Sequence, residues 1–136
     1  MNLKELAWAA GFFDGEGTTH AIKQRKGRAS GAKIMMALPQ TNLETLERFQ
    51  RAVGVGVIYG PHVFKGNKHQ RSPMWRWQAH QWQDVQVAIA KLWKYLSRPK
   101  KDQFLRYLAV FRSGVWGRQI GRPPGAKDMK PRKVIA

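Results

Sequence analysis

Cysteine is absent from this chain, acidic residues are scarce, and no apolar run approaches the length of a membrane span. The first absence excludes disulfides, thiolate nucleophiles and zinc–thiolate sites, and leaves the compartment open. Leu6 to Phe13 is apolar, but a spanning helix needs about 18 or more consecutive apolar residues. Nor does that stretch read as a secretion signal. Lys4 in front of it is cancelled by Glu5, and Asp14, Gly15 and Glu16 follow with no small-x-small cleavage site. The expectations are a protein that is not secreted and has no membrane partner. No long helical pattern gathers the Lys and Arg on one face, as a membrane-surface helix would. His20, His62, His69 and His80 show no HxH or HExxH spacing, and there is no GxSxG, no P-loop and no internal repeat. Gly54-Val55-Gly56 reads as a helix end followed by a strand start.

The shortage of acids is the strongest compositional signal. Eight Asp+Glu face 25 Lys+Arg, for a formal net charge of +17 in 136 residues. A domain this basic repels itself in low salt, and the partner that relieves it is a polyanion, most commonly nucleic acid. With so few carboxylates, each can be assigned in turn. Glu5 lies one turn into a first helix; Glu44 and Glu47 sit early in a second, where the dipole favours them; Asp84 and Asp102 fall in first turns; Asp128 lies in a basic tail. Asp14 and Glu16 remain. They fall at the C-terminal end of a helix, where the macrodipole disfavours negative charge by tenths of a kcal/mol. A divalent metal is the usual reason for carboxylates in such a place. For Asp14, hydrogen bonding to nearby backbone N–H groups is an alternative.

Periodicity predicts a helix over about 3–14, with Leu3, Leu6, Ala10 and Phe13 on one side, Trp8 and Phe12 beside them, and small residues along a further stripe. Such a helix is apolar almost all round, so both sides are expected to be covered, one of them by another helix. Strands follow at 18–25 and 32–40, the second turning Ile34, Met36 and Leu38 inward and Lys33, Met35 and Ala37 outward. Asn42 caps a helix that Gly54 ends, with Leu43, Leu46, Phe49 and Val53 buried. Strands at 55–63 and 74–80, a helix over 82–96 and another from Pro99 to about Phe111 complete the pattern. In the last strand Trp75, Trp77 and Ala79 alternate with Arg76, Gln78 and His80. The expected fold is α+β: an αββαββα chain with a four-stranded antiparallel saddle sheet, helices on its opposite face and a C-terminal helix. Residues 1–113 form the domain. Residues 114–136, with four Gly, three Pro and six Lys or Arg, form a basic tail.

Ala9-Ala10-Gly11-Phe12-Phe13-Asp14-Gly15-Glu16-Gly17 resembles the nine-residue motif of the LAGLIDADG homing endonucleases, and the order of elements resembles theirs as far as Phe111. Ala9 departs from the motif's first Leu, and Glu16 stands where Asp is common. The resemblance implies a site-specific, intron-encoded type of nuclease that makes metal-dependent double-strand breaks in a long, near-palindromic DNA site. One motif copy implies a homodimer, paired through Ala7, Ala10, Gly11, Asp14 and Gly15. Glu16 and the Gly17 carbonyl would ligate Mg2+ or Mn2+, while Gln40 and Lys100 would act beside the scissile phosphate. Both strand pairs would lie in the major groove. By strand parity Thr18, His20, Gln24, Lys26, Arg28, Lys33, Tyr59, Arg71, Arg76 and Gln78 face double-stranded DNA, and Lys23 and Arg25 fall on the other face. Arg28 and Arg76 suit bidentate contacts to guanine. The implied location is inside the cell with DNA, either prokaryotic cytoplasm and nucleoid or an organelle. The rival reading is a non-cleaving DNA- or RNA-binding protein on the same scaffold, such as a maturase or regulator. A third, a basic ribosomal or RNA-packaging protein, predicts a monomer.

Overall fold

Asn2 starts the first helix, its side chain accepting from the Glu5 N–H at 3.1 Å. The computed structural model describes residues 2–23, 32–63 and 72–113. Within them the chain runs α1 (Leu3–Glu16), β1 (Thr18–Lys23), β2 (Ala32–Gln40), α2 (Leu43–Val53), β3 (Val57–His62), β4 (Met74–Ala79), α3 (Trp82–Leu92), a single 3-10 turn (Trp93–Tyr95) and α4 (Arg98–Ser113). The predicted order and class hold. The basic hairpin at Arg25–Gly31, the turn at Lys65–Arg71 and the tail lie outside the described residues.

The four strands form one antiparallel sheet in the order β1-β2-β4-β3. Two hairpins therefore meet at a β2–β4 seam, with Leu38 opposite Trp77. Ile34, Met36, Leu38, Trp77 and Ala79 turn inward and are fully buried under the helices. Asn42 caps α2 through the Thr45 N–H at 3.1 Å, and Gly54 ends it at φ +83°. Helix α4 packs across β1 and β2, where Ala21, Ala32 and Val110 form a second small core with Tyr107.

Trp77 anchors the main core. Its ring meets Phe49 edge-on at 4.8 Å, and its indole N–H donates to the Val55 carbonyl at 3.0 Å. The chain passes so close at Gly56 that a Cβ there would lie 2.3 Å from the indole nitrogen. Gly56 also sits at φ +95°, and this tight approach delays β3 to Val57 rather than the expected 55. Trp77→Ala is expected to cost about 3–5 kcal/mol, measured by denaturant unfolding.

Other boundaries, and some side chains, differ from expectation. Helix α1 runs on to Glu16, because the Gly17 N–H still reaches the Phe13 carbonyl at 2.8 Å. α3 ends at Leu92, where the turn tightens, and α4 runs from Arg98 to Ser113 rather than from Pro99 to Phe111, while the end expected for β1 at residue 25 lies outside the described residues. Leu3 was expected inward but is exposed, because the buried side of α1 is Leu6, Ala9, Ala10 and Phe13.

Candidate functional site

Helix α1 presents one line of open surface. Leu3, Ala7, Gly11 and Gly15 follow each other at four-residue steps, and all are exposed. A Cβ added at Gly11 or Gly15 would meet nothing within 4 Å. Two of the residues expected at a helix-to-helix contact belong elsewhere. Ala10 is fully buried, because the helix turns it onto the protomer's own core. Asp14 is half-buried and faces the start of α4. Its carboxylate accepts the Ser97 N–H at 3.0 and 3.1 Å and the Ser97 hydroxyl at 3.0 Å. A backbone N–H does partner Asp14, but one 83 residues away in sequence.

At the end of that helix Glu16 is exposed. Gly17 is buried, with its Cα against the Phe13 ring; a Cβ there would lie 2.2 Å from ring carbon, so no side chain fits. The Gly17 carbonyl accepts a hydrogen bond from the Lys100 ammonium, which lies 6.0 Å from the centre of the Phe13 ring. Lys100 and Gly17, both expected at the site, are thus brought into contact. Gln40 is placed differently. Its Oε1 accepts from the Thr41 N–H at 2.8 Å, at the turn into α2.

A divalent ion would find hard oxygen donors here, the Glu16 carboxylate and the Gly17 carbonyl. One lone pair of that carbonyl already accepts from the Lys100 ammonium, which leaves the other for an ion. Among the described residues no cluster of three or more His, Asp or Glu within the chain holds a metal.

The outer face of the sheet carries the second group. Strand register places Thr18 and His20 on β1, Lys33 on β2, Gln78 and Arg76 on β4 and Tyr59 on β3 on one side. Tyr59 is directly opposite Arg76, and Thr18 and Gln78 flank the small Ala37. Six of the ten residues expected on this face are there. Gln24, Lys26, Arg28 and Arg71 lie outside the described residues, as do Arg25 and the side chain of Lys23.

His80 was absent from the expected interface although parity put it there. Lys33 Nζ lies 3.4 Å from its Nδ1, and the Tyr59 hydroxyl 3.2 Å from its Nε2. A lysine only donates, so Nδ1 is the acceptor in this contact and Nε2 is the ring's N–H donor. That proton goes to the Tyr59 oxygen, leaving the Tyr59 O–H to donate outward. The three side chains make one polar row from β2, past the end of β4, to β3.

His20 is half-buried on the same face. Burial, and then the nearby Arg76 guanidinium, push its pKa below the ordinary 6.5. In the unfolded chain the ring takes its proton first as pH falls. Its contribution to stability is therefore complete above about 6.5 and is lost as pH drops through the depressed folded-state value. His20→Gln is expected to flatten the pH dependence of unfolding below 6.5, measured by melting over that range.

Glu5 forms a separate anchor. Arg48 donates to both its oxygens at 2.8 and 2.9 Å and stacks 3.8 Å over the Trp8 ring. That pairing holds the Glu5 carboxyl below its ordinary value.

This architecture is that of the LAGLIDADG homing endonucleases. The chain resembles the archaeal intron-encoded homing endonuclease I-Vdi141I complexed with DNA, at 19% identity and a TM-score of 0.64, over 80% of this chain and 67% of that one. It resembles I-CvuI in complex with its target in the presence of Ca at 21% identity and a TM-score of 0.62, over 81% and 67%. It also resembles I-GzeII in complex with a DNA target at 15% identity and a TM-score of 0.62, over 79% of this chain but 35% of that one. The chain thus spans about two thirds of the first two and about a third of the last. No protein-family profile and no curated protein matches the sequence.

Proposed function

We propose that this protein is a site-specific, metal-dependent DNA endonuclease of the LAGLIDADG class, acting as a homodimer on a long, near-palindromic duplex site. The observation that carries the reading is the end of α1. There a carboxylate that no helix needs, Glu16, stands next to a carbonyl already charged with a cation, two residues before the sheet begins. The helix that delivers Glu16 offers a line of small residues to a second copy, and the strand it feeds belongs to a polar and basic face.

In this reading two copies of α1 pack along Ala7, Gly11 and Gly15 about a two-fold axis. They bring two Glu16 carboxylates together, with the Gly17 carbonyls beside them, to hold Mg2+ or Mn2+. When bound, the metal lowers the pKa of an attacking water and stabilises the leaving oxygen. Lys100, held at Gly17, offers its ammonium to the scissile phosphate. Gln40, whose Oε1 accepts from the Thr41 N–H, would turn from that contact to order solvent at the site. The sheet face sits in the major groove, wide enough for a β-ribbon, where Arg76, Gln78, Lys33 and Tyr59 reach base edges and Thr18 and His20 lie nearest the cut. Gln24, Lys26, Arg28 and Arg71, outside the described residues, are expected from the sequence to contact DNA as well. Residues 1–113 make up the nuclease domain and residues 114–136 a basic tail, and the protein works inside the cell, where DNA is.

The test is incubation with a random-site plasmid library and Mg2+, followed by sequencing of cut ends. Paired cuts at one near-palindromic sequence are expected. Binding without cutting would favour the non-cleaving module. On the selected site, Arg76→Ala is expected to weaken binding by about 1–3 kcal/mol and to relax the base preference at one position per half-site, measured by titration against single-base variants.

A further inference from the structure

Helix α4 grips the junction between α1 and β1 at three points in regular order. Ser97, which caps the helix by accepting the Lys101 N–H at 3.0 Å, donates both its N–H and its hydroxyl to Asp14. Three residues on, the Lys100 ammonium donates to the Gly17 carbonyl. Three further on, the Gln103 Oε1 accepts the Thr19 N–H at 3.0 Å. Residues three apart share one side of a helix, so a single face of α4 tracks Asp14, Gly17 and Thr19 in turn. Thr19 is almost fully buried, and its N–H points off the outer edge of the sheet, since β1 is an edge strand. The grip therefore fixes the backbone on both sides of Gly17.

We propose that Ser97 and Gln103 are positioning residues that hold the Lys100 ammonium at the Gly17 carbonyl beside Glu16. Neither touches DNA or metal in this arrangement; each acts through Lys100. The inference rests on the endonuclease reading for its consequence in cleavage, but not for the placement itself. A lysine has a long flexible stem, and its ammonium stays on one carbonyl only if helix and carbonyl keep their spacing. Asp14, in this arrangement, is the acceptor that ties α4 down.

The test is a pair of double-mutant cycles on the full chain, Ser97→Ala and Gln103→Met each combined with Lys100→Met. Three readouts are taken: single-turnover cleavage of the selected site, DNA affinity in Ca2+, and the 15N-detected ammonium signal of Lys100 in the DNA-free protein. Gln103→Met is expected to slow cleavage about 10-fold, as a displacement short of 1 Å would, and Ser97→Ala by several-fold. DNA affinity is expected to hold within about two-fold, because the outer face is untouched. In the Lys100→Met background both losses are expected to vanish, which a general weakening of the fold would not produce. Ser97→Thr, which keeps the hydroxyl, is expected to restore the rate. The Lys100 ammonium signal, slowed in exchange by its hydrogen bond, is expected to disappear in both single variants. Should Gln103→Met melt too low to compare, Gln103→Asn, one methylene too short to reach, replaces it. Additive losses in the cycles, or an unchanged ammonium signal, overturns the proposal. If the wild-type protein cuts no site, the endonuclease reading fails and the ammonium signal alone decides whether Ser97 and Gln103 hold Lys100.

Discussion

Glu16→Gln is expected to abolish strand cleavage while leaving DNA binding intact. The substitution keeps the size of the side chain and removes only its charge, at an exposed position where the fold does not depend on it. A metal's stabilisation of developing charge is worth several kcal/mol, so its loss slows the reaction by about 10³-fold or more. Removing two negative charges per dimer from a surface facing phosphates leaves affinity unchanged or slightly raised. Single-turnover cleavage and a binding titration in Ca2+, run side by side, separate the two effects. A variant that still cuts at the wild-type rate would move the chemistry away from α1 altogether.

The second large effect concerns Gly11. Within the protomer a side chain there meets nothing, and the residue sits mid-helix, where glycine is about 0.5–1 kcal/mol worse than alanine. Gly11→Gln is therefore expected to leave the single chain as stable or more so. In a pair of helices meeting along Ala7, Gly11 and Gly15, the same side chain would project into the partner's backbone. The expected result is a monomer by analytical ultracentrifugation, with double-strand cutting lost. The opposition of signs is what gives the experiment its force, since no other reading predicts a helix made better and an activity removed. A Gly11→Gln protein that remained dimeric and active would place the contact on some other surface.

Much of the scaffold was legible because its signals are local. The Asn42 cap, the Gly54 stop and the alternation of Ile34, Met36 and Leu38 against Lys33 and Met35 need no knowledge of the rest of the chain. The same parity put Arg76, Gln78 and Tyr59 on one face, and it covered His80 too. His80 was missed because its partners Lys33 and Tyr59 lie on other strands. The misreadings share that cause. Leu3 lies off the side on which the pattern put it, while Ala10 stays on that side with Leu6 and Phe13, away from the contact the resemblance implied for it. An α1 apolar nearly all round has no clear inside until Phe49 and the sheet choose one. The apolar period stops near residue 14, yet the Phe13 carbonyl still finds the Gly17 N–H. The ties from Asp14 to Ser97 and from Glu5 to Arg48 bridge 83 and 43 residues, beyond any local rule. In the candidate site, Glu16 stood out by the scarcity of acids, and Lys100 was singled out only by its resemblance to a family lysine, its contact with Gly17 spanning 83 residues. Ser97 and Gln103 had no sequence signal, since a serine before a helix and a glutamine inside one are ordinary.

The most direct measurement is a crystal structure of the protein on its selected DNA site, grown with Ca2+ so that the duplex survives. The expected density shows two copies of α1 crossing over the centre of the site, with cations between the paired Glu16 carboxylates, the Gly17 carbonyls and the phosphates to be cut. Copies of α1 held apart, or carboxylates turned to solvent with no ion bridging them to DNA, would contradict it.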